Sequence, residues 1–384
     1  MCSLRICDAM LPSLVKEFNS NTVAVATVIS GFAIAYGLMQ FVYGPLADHF
    51  GKPRVIASVS IGCVLGMGLA SLASTLEVLI AARVLTGIAA AGIIPIALAY
   101  VGDSSSNENR QESLAKFASA IILGGMAGQL TGGLASDTVG WRWAFALLFA
   151  LFAITAWNLR SAFGTYSELP IKLTSKTSFG ASVFSRLAKY GQVFQTKGMP
   201  LFLTLTFFQG VINFSAMSFI PTIVHDHFSV SLTKASMVVV GYALGSLAYS
   251  RTATHFLKRF PIARIALVGG LIQATSFVRL ILVPNWSIAL IVGLIGGFGT
   301  IMLHNNLQTQ ATRMVPGSSG TSVASFAMML FFGQAVGVSF IATMLGKFSG
   351  EIVMTAIAIS STLLVACVYW RFKKLDQSPI TRNV

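Results

Sequence analysis

Arg5 and Asp8 stand three residues apart near the start of the chain. Like Arg83, Gln209, Asn213, His304 and Gln308, they are set inside long apolar stretches. An ionisable side chain at mid-membrane depth costs about 2.5–3.5 kcal/mol on insertion scales, so it marks a functional-site hypothesis. Asp8 is the one acid deep within such a stretch. It can take up and release a proton, or it can hold a cationic substrate. Arg5 lies on the same helical face, three residues away, and local neutralisation of the pair is the structural alternative. Arg83 is a second deep charge, a functional candidate by its depth or a structural hydrogen-bond hub. Histidine titrates near neutrality, so His304 can join a proton relay or simply bond neighbouring helices. Gln209 and Asn213, four apart, share one face, as do His304 and Gln308. Arg5, Gln209, Asn213 and Gln308 are thus polar candidates on helix faces, and Asp8 and His304 candidates for carrying a proton.

Enzymatic chemistry finds no support in these spacings. No nucleophile–base pair occurs with supporting spacing, and neither metal-type Cys/His spacing nor a phosphate loop is present. Six residues separate Gly44 from Gly51, and Pro53 follows Lys52 where a phosphate loop needs Ser or Thr. No catalytic residue, metal or bound cofactor is expected. A sensor would need a soluble domain, and no loop is large enough for one.

The elements that must position these residues are transmembrane helices. Only 10% of residues are charged, against roughly 25% in soluble proteins, and mean hydropathy is +0.77. Apolar runs of about 20 residues cross a bilayer as helices, which satisfy their own backbone in lipid. The chain divides into twelve spans, roughly 1–17, 22–47, 53–73, 76–101, 112–137, 141–161, 199–224, 233–254, 262–283, 286–312, 319–346 and 351–371. Span 1 is short, about 24 Å at 1.5 Å per residue, which points to a start upstream of Met1 or to truncation. Residues 1–161 are expected to form one six-helix bundle and residues 199–372 a second. Residues 162–198 link them and residues 373–384 form a tail. Within the linker, the pattern around residues 179–194 allows a short amphipathic surface helix or a solvated connector.

The net charge of +14 is a topology signal rather than a polyanion-binding surface. Of the 26 Lys and Arg residues, only Lys16, Arg142, Lys234 and Lys347 fall in one set of loops, and Arg5, Arg83 and Arg279 lie within spans. The rest fall on the other side, with the linker and the tail. The positive-inside rule then places both termini in the cytoplasm, and no nucleic-acid partner is expected. Cys2, Cys7, Cys63 and Cys367 all fall in apolar spans and are expected as small buried hydrophobes.

Three motifs give the chain a likeness. After span 2 comes Gly44-Pro45-Leu46-Ala47-Asp48-His49-Phe50-Gly51-Lys52-Pro53-Arg54. It resembles motif A of the major facilitator superfamily of secondary transporters, with Gly44, Asp48, Gly51, Lys52 and Arg54 matching. Span 4 carries Arg83 one turn before Gly87 and looks like motif B. Span 5 carries Gly124-Gly125-Met126-Ala127-Gly128-Gln129-Leu130-Thr131-Gly132-Gly133 and resembles motif C, with Gln129 in place of the proline. Gly128, Gly132 and Gly133 are read as helix-packing glycines. Ala47–Lys52 is also echoed by Ala253–Lys258 after span 8, as an internal duplication would leave.

The resemblance implies an all-α integral membrane protein, two six-helix bundles that rock around a midplane site, with motif A as a conformational latch. It implies that spans 1, 4, 7 and 10 line the cavity, on which all seven polar candidates fall, making Arg5, Gln209, Asn213 and Gln308 substrate-cavity candidates and Asp8, Arg83 and His304 proton-coupling candidates. The likeness is greatest to the twelve-helix drug/proton antiporter branch. The expected function is proton-coupled efflux of small amphipathic or cationic compounds, with the proton gradient as energy source. An importer of a small polar solute such as a sugar or organic acid is the alternative. A monomer in a bacterial inner membrane is expected.

Overall fold

The computed structural model describes residues 1–104, 110–164, 190–315 and 318–376, with side chains left undescribed at 110, 111, 162–164, 319 and 374–376. Among the described residues, eleven helices are long and apolar enough to cross a membrane. The twelfth position is held by two short helices, α1 (Cys2–Arg5) and α2 (Leu11–Glu17). The others are α3 (Thr22–Phe50), α4 (Lys52–Ser71), α5 (Leu76–Ala90), α6 (Ile93–Ser104), α7 (Arg110–Asp137), α8 (Trp141–Gly164), α9 (Met199–Gln209), α10 (Ser215–Phe228), α11 (Leu232–Arg259), α12 (Ile262–Leu282), α13 (Trp286–Arg313), α14 (Ser319–Leu345) and α15 (Gly350–Asp376). The chain is thus an all-α, multi-pass integral membrane protein.

Local sequence sets the helix starts. Asn21, Thr75, Ser231 and Asn285 each accept a backbone N–H three residues ahead, capping α3, α5, α11 and α13. Capping by these residue types satisfies one of the four donors a helix start leaves open. Pro53 and Pro200 open α4 and α9, where a missing N–H costs nothing.

Four expectations are corrected. Span 1 is not one helix: residues 6–10 form a turn closed by Asp8 N–H to Arg5 C=O (3.2 Å) and Met10 N–H to Cys7 C=O (3.0 Å). Irregular backbone at membrane depth is tolerated only where protein covers it, and Ile6 through Met10 are fully buried. Span 4 breaks at Ala91–Gly92, where Gly92 lies on the Tyr43 ring. Span 7 carries a π-helical segment, Gly210–Phe214, between α9 and α10. The motif A segment is not a loop from Gly44 onward. Helix α3 runs on through Phe50 and the chain reverses at Gly51 alone, whose φ of +87° favours glycine. Most of the linker segment read as an amphipathic helix lies outside the described residues.

Loops alternate between two ends of the molecule, named here for Gly51 and for Gly140. Toward the Gly140 end one buried apolar cluster draws on both halves, with Leu14, Ile29 and Phe145 from the first and Ile220, Val238 and Val338 from the second. Toward the Gly51 end the clusters separate: Tyr43, Val55 and Ile96 in the first half, Phe202, Leu307 and Val368 in the second. The halves therefore share a core at one end and keep separate cores at the other. Their seam is α3 on α14 and α7 on α11. Tyr36 meets Phe331 at 4.4 Å between ring centroids, and Gly133 lies against Leu232 and Ser236.

Candidate functional site

The broken first helix places Asp8 at the meeting point of three elements. Its Oδ2 accepts Arg5 Nη1 (3.1 Å) and Gln129 Nε2 from α7 (2.9 Å). The same Arg5 nitrogen donates to Ser218 Oγ on α10 (3.3 Å), crossing from the first half to the second. Asp8 is fully buried and Arg5 nearly so. Asp8 Oδ1 and Gln129 Oε1, both buried, have no hydrogen-bond partner among the described residues. Buried polar atoms are paired in the great majority of cases, so each exception needs an explanation.

Glycine makes the meeting possible. A side chain at Gly128 would strike the Cys2 backbone, and one at Gly132 the Ile6 carbonyl. Without side chains there, α7 lies directly on the broken segment and brings Gln129 to Asp8. Close approach of this kind is the use of small residues between membrane helices.

Arg83 is fully buried and does not bond Asp8. Its Nη1 donates to the Ser3 carbonyl (2.7 Å) and its Nε to the Val28 carbonyl (3.3 Å), and its guanidinium sits 4.3 Å from the Phe32 ring centroid. It ties α1 to α3 and α5. Its Nη2 has no partner among the described residues.

Phe214 touches both His304 and Arg5. That ring lies 5.1 Å from His304 and 5.9 Å from the Arg5 guanidinium. Phe326 closes the other side of His304 at 5.7 Å. Gln209, Asn213 and Gln308 make no hydrogen bond to this centre. Asn213 Oδ1 instead accepts Ser361 Oγ on α15 (3.0 Å), Gln209 is buried with its carbonyl oxygen unpaired, and Gln308 is exposed.

The motif A residues lie apart from this centre. Lys52 pairs with Asp103 on α6, Asp48 and Arg54 are exposed, and Gly44 lies within α3. At the other end, Asp137 on α7 accepts the N–H groups of Leu232 (3.1 Å) and Thr233 (2.7 Å) at the start of α11, so the halves are tied there. Arg142 donates to Glu17 (2.7 Å) and to the Ala73 carbonyl (3.0 Å).

A cavity of about 720 Å³ lies away from Asp8. It is an apolar groove between α9, α14 and α15, walled by Phe208, Ile212, Met344 and Ile357. Cys367 lines it and is exposed, which corrects the expectation of four buried cysteines.

Sequence reasoning did not place Gln129, Ser218 or Phe214 at the centre. Gln129 was visible as a polar residue where motif C has proline; nothing in its spacing tied it to Asp8.

Comparison with known proteins accords with this architecture. The profile described as Major Facilitator Superfamily matches residues 2–338 and 202–382. The chain is 24% identical over 331 residues to the chloramphenicol resistance protein CraA of Acinetobacter baumannii, covering 84% of this chain and 77% of that protein. It is 33% identical over 142 residues to the MFS-type transporter pydD of an Acremonium species, covering 37% of this chain and only 25% of that protein. The solved structure of the human organic anion transporter MFSD10 superposes with a TM-score of 0.67 at 17% identity, covering 96% and 95% of the two chains, and shares the fold. Two bundles closed at one end, the three motifs and the profile match agree: the chain belongs to the Major Facilitator Superfamily, a family of membrane transporters rather than enzymes.

Proposed function

We propose that this transporter exports small amphipathic or cationic compounds in exchange for protons, by alternating access. It works as a monomer in a bacterial inner membrane, with both termini cytoplasmic and the Gly51 end facing the cytoplasm. The proton gradient is its energy source. The observation that carries the reading is Asp8: a fully buried carboxylate, hydrogen-bonded within the first half and linked through Arg5 to Ser218 in the second. A charge change there alters the bond between the halves, which is what coupling requires. Resistance relatives such as CraA support the export direction.

In this account the structure is the loading state, closed at the outer end. Protonation of Asp8 weakens its hold on Arg5, and Arg5 is then free to shift its bond with Ser218 as the halves rock. A cationic compound would compete with Arg5 for the carboxylate. A neutral amphipathic compound would bind beside it, among Phe214, His304 and Phe326. Arg83 holds the broken helix in register, and the motif A segment latches the cytoplasmic end in the opposite state.

The test uses everted vesicles with an acidified lumen and a pH-sensitive dye. Ethidium, chloramphenicol and benzoate serve as cationic, neutral and anionic probes. Lumen alkalinisation on adding ethidium or chloramphenicol supports exchange. Silence with all three, together with uptake of a sugar or organic acid by intact cells, would replace export by import.

A further inference from the structure

Asp8 and Gln129 are joined by one hydrogen bond, Gln129 Nε2–H to Asp8 Oδ2 at 2.9 Å, and each carries a second, buried oxygen with no partner among the described residues. Both are acceptors on side chains already bonded to each other, and a proton on the carboxylate would supply the donor they lack. A carboxylic acid and a primary amide form a cyclic pair through two hydrogen bonds, N–H to C=O and O–H to C=O, with each group both donating and accepting.

We infer that Gln129 is a positioning residue that completes Asp8 as a proton site, the arriving proton closing a cyclic acid–amide pair between Asp8 Oδ1 and Gln129 Oε1. This rests on the reading of Asp8 as the proton-coupling group. The bookkeeping of the step is simple. A proton from water adds to Oδ1, the carboxylate becomes a neutral acid, and Oδ1–H donates to Oε1. The Nε2–H bond to Oδ2 stays, and no other bond breaks. Leaving the site, the proton returns to water and restores the state seen here.

The charged groups facing Asp8 are Arg5, from its own segment, and Arg83, from α5; Ser218 and the Cys7 thiol are the other polar neighbours. Neither arginine can accept a hydrogen bond, so neither can receive the acid's O–H. Gln129 Oε1 is the unpaired acceptor on a residue already bonded to Asp8. This gives the glutamine at the motif C proline position a task that proline, lacking a side-chain acceptor, cannot perform. The packing of Gly128 on Cys2 and Gly132 on Ile6 holds the amide against the carboxyl.

The proposal predicts a spectroscopic signature. Infrared difference spectra of the purified protein across pH 4 to 10 would follow the carboxylic acid C=O band, with Asp8→Asn as the blank that assigns it. In wild type the Asp8 band should sit at the frequency of a hydrogen-bonded acid. In Gln129→Met, similar in shape but without the amide, it should shift to higher frequency, the O–H bond and the amide's bond to Oδ2 being lost while Arg5 still donates to Oδ2. Gln129→Glu, retaining an acceptor, should keep the hydrogen-bonded frequency. An unchanged band in Gln129→Met would show that Gln129 serves only as a donor to the carboxylate, and would overturn the proposal while leaving Asp8 as the proton site. Spectra identical in wild type and Asp8→Asn would overturn both.

Discussion

Asp137 and Thr233 are joined twice across the two halves: one carboxylate oxygen accepts the Thr233 N–H at 2.7 Å and its hydroxyl at 2.6 Å. With the Leu232 N–H on the other oxygen, Asp137 satisfies the open donors at the start of α11, a 28-residue helix. A negative charge at a helix N-terminus is also favoured by the helix dipole. The residue that closes this end therefore sits one turn beyond Gly133, where α7 and α11 touch.

Removing this tie should open the Gly140 end. Asp137→Ala deletes three hydrogen bonds at a partly exposed site, worth together about 1–2 kcal/mol, or roughly a 5–30-fold shift between states. A cysteine placed at Ser236, fully buried here, should then react with a membrane-impermeant maleimide several-fold faster than in the Asp137 background. Equal rates would mean that Asp137 does not hold the end closed.

Arg83 should behave as a hub for the broken helix. Arg83→Ala takes a donor from each of the Ser3 and Val28 carbonyls and removes a guanidinium from the Phe32 face. The expected loss is about 2–4 kcal/mol, read as a lower thermal midpoint in detergent. Arg83→Lys keeps the charge but not the fork and should recover only part of it. Wild-type stability in Arg83→Ala would contradict the hub.

Two glycines on α7 offer a matched comparison. An added methyl at Gly132 meets the Ile6 carbonyl, whereas one at Gly125 meets nothing within 4 Å. Gly132→Ala should lower stability by about 1–3 kcal/mol through overpacking. Gly125→Ala should be neutral or raise it by up to about 1 kcal/mol, from helix propensity. Similar thermal midpoints for the two variants would rule out the close approach of α7 to the broken segment.

Much of the architecture could be read from the chain, for a physical reason. Helices that cross lipid must be long and apolar, and their polar interruptions fall where the backbone turns, as at Asn21, Thr75 and Asn285. What hid was whatever departs from regular helix inside an apolar run. Gln209 and Asn213 share a face at helical spacing, but the π-helical segment between them changes the rotation per residue, and Asn213 turns to Ser361 on α15. Arg5 and Asp8 pair as their spacing suggests, yet nothing in Ile6–Met10 announced the break that exposes backbone to Gly132. The contact of Gln129 with Asp8 spans 121 residues of sequence, beyond any local pattern.

If a transported compound and a proton compete through Asp8, as proposed, adding ethidium to purified protein in weakly buffered detergent solution should release protons, recorded with a pH dye for wild type and Asp8→Asn. Release should approach one proton per ethidium bound in wild type and be absent in Asp8→Asn, with both proteins equally monodisperse. Equal release from the two would contradict the proposal and place proton coupling elsewhere.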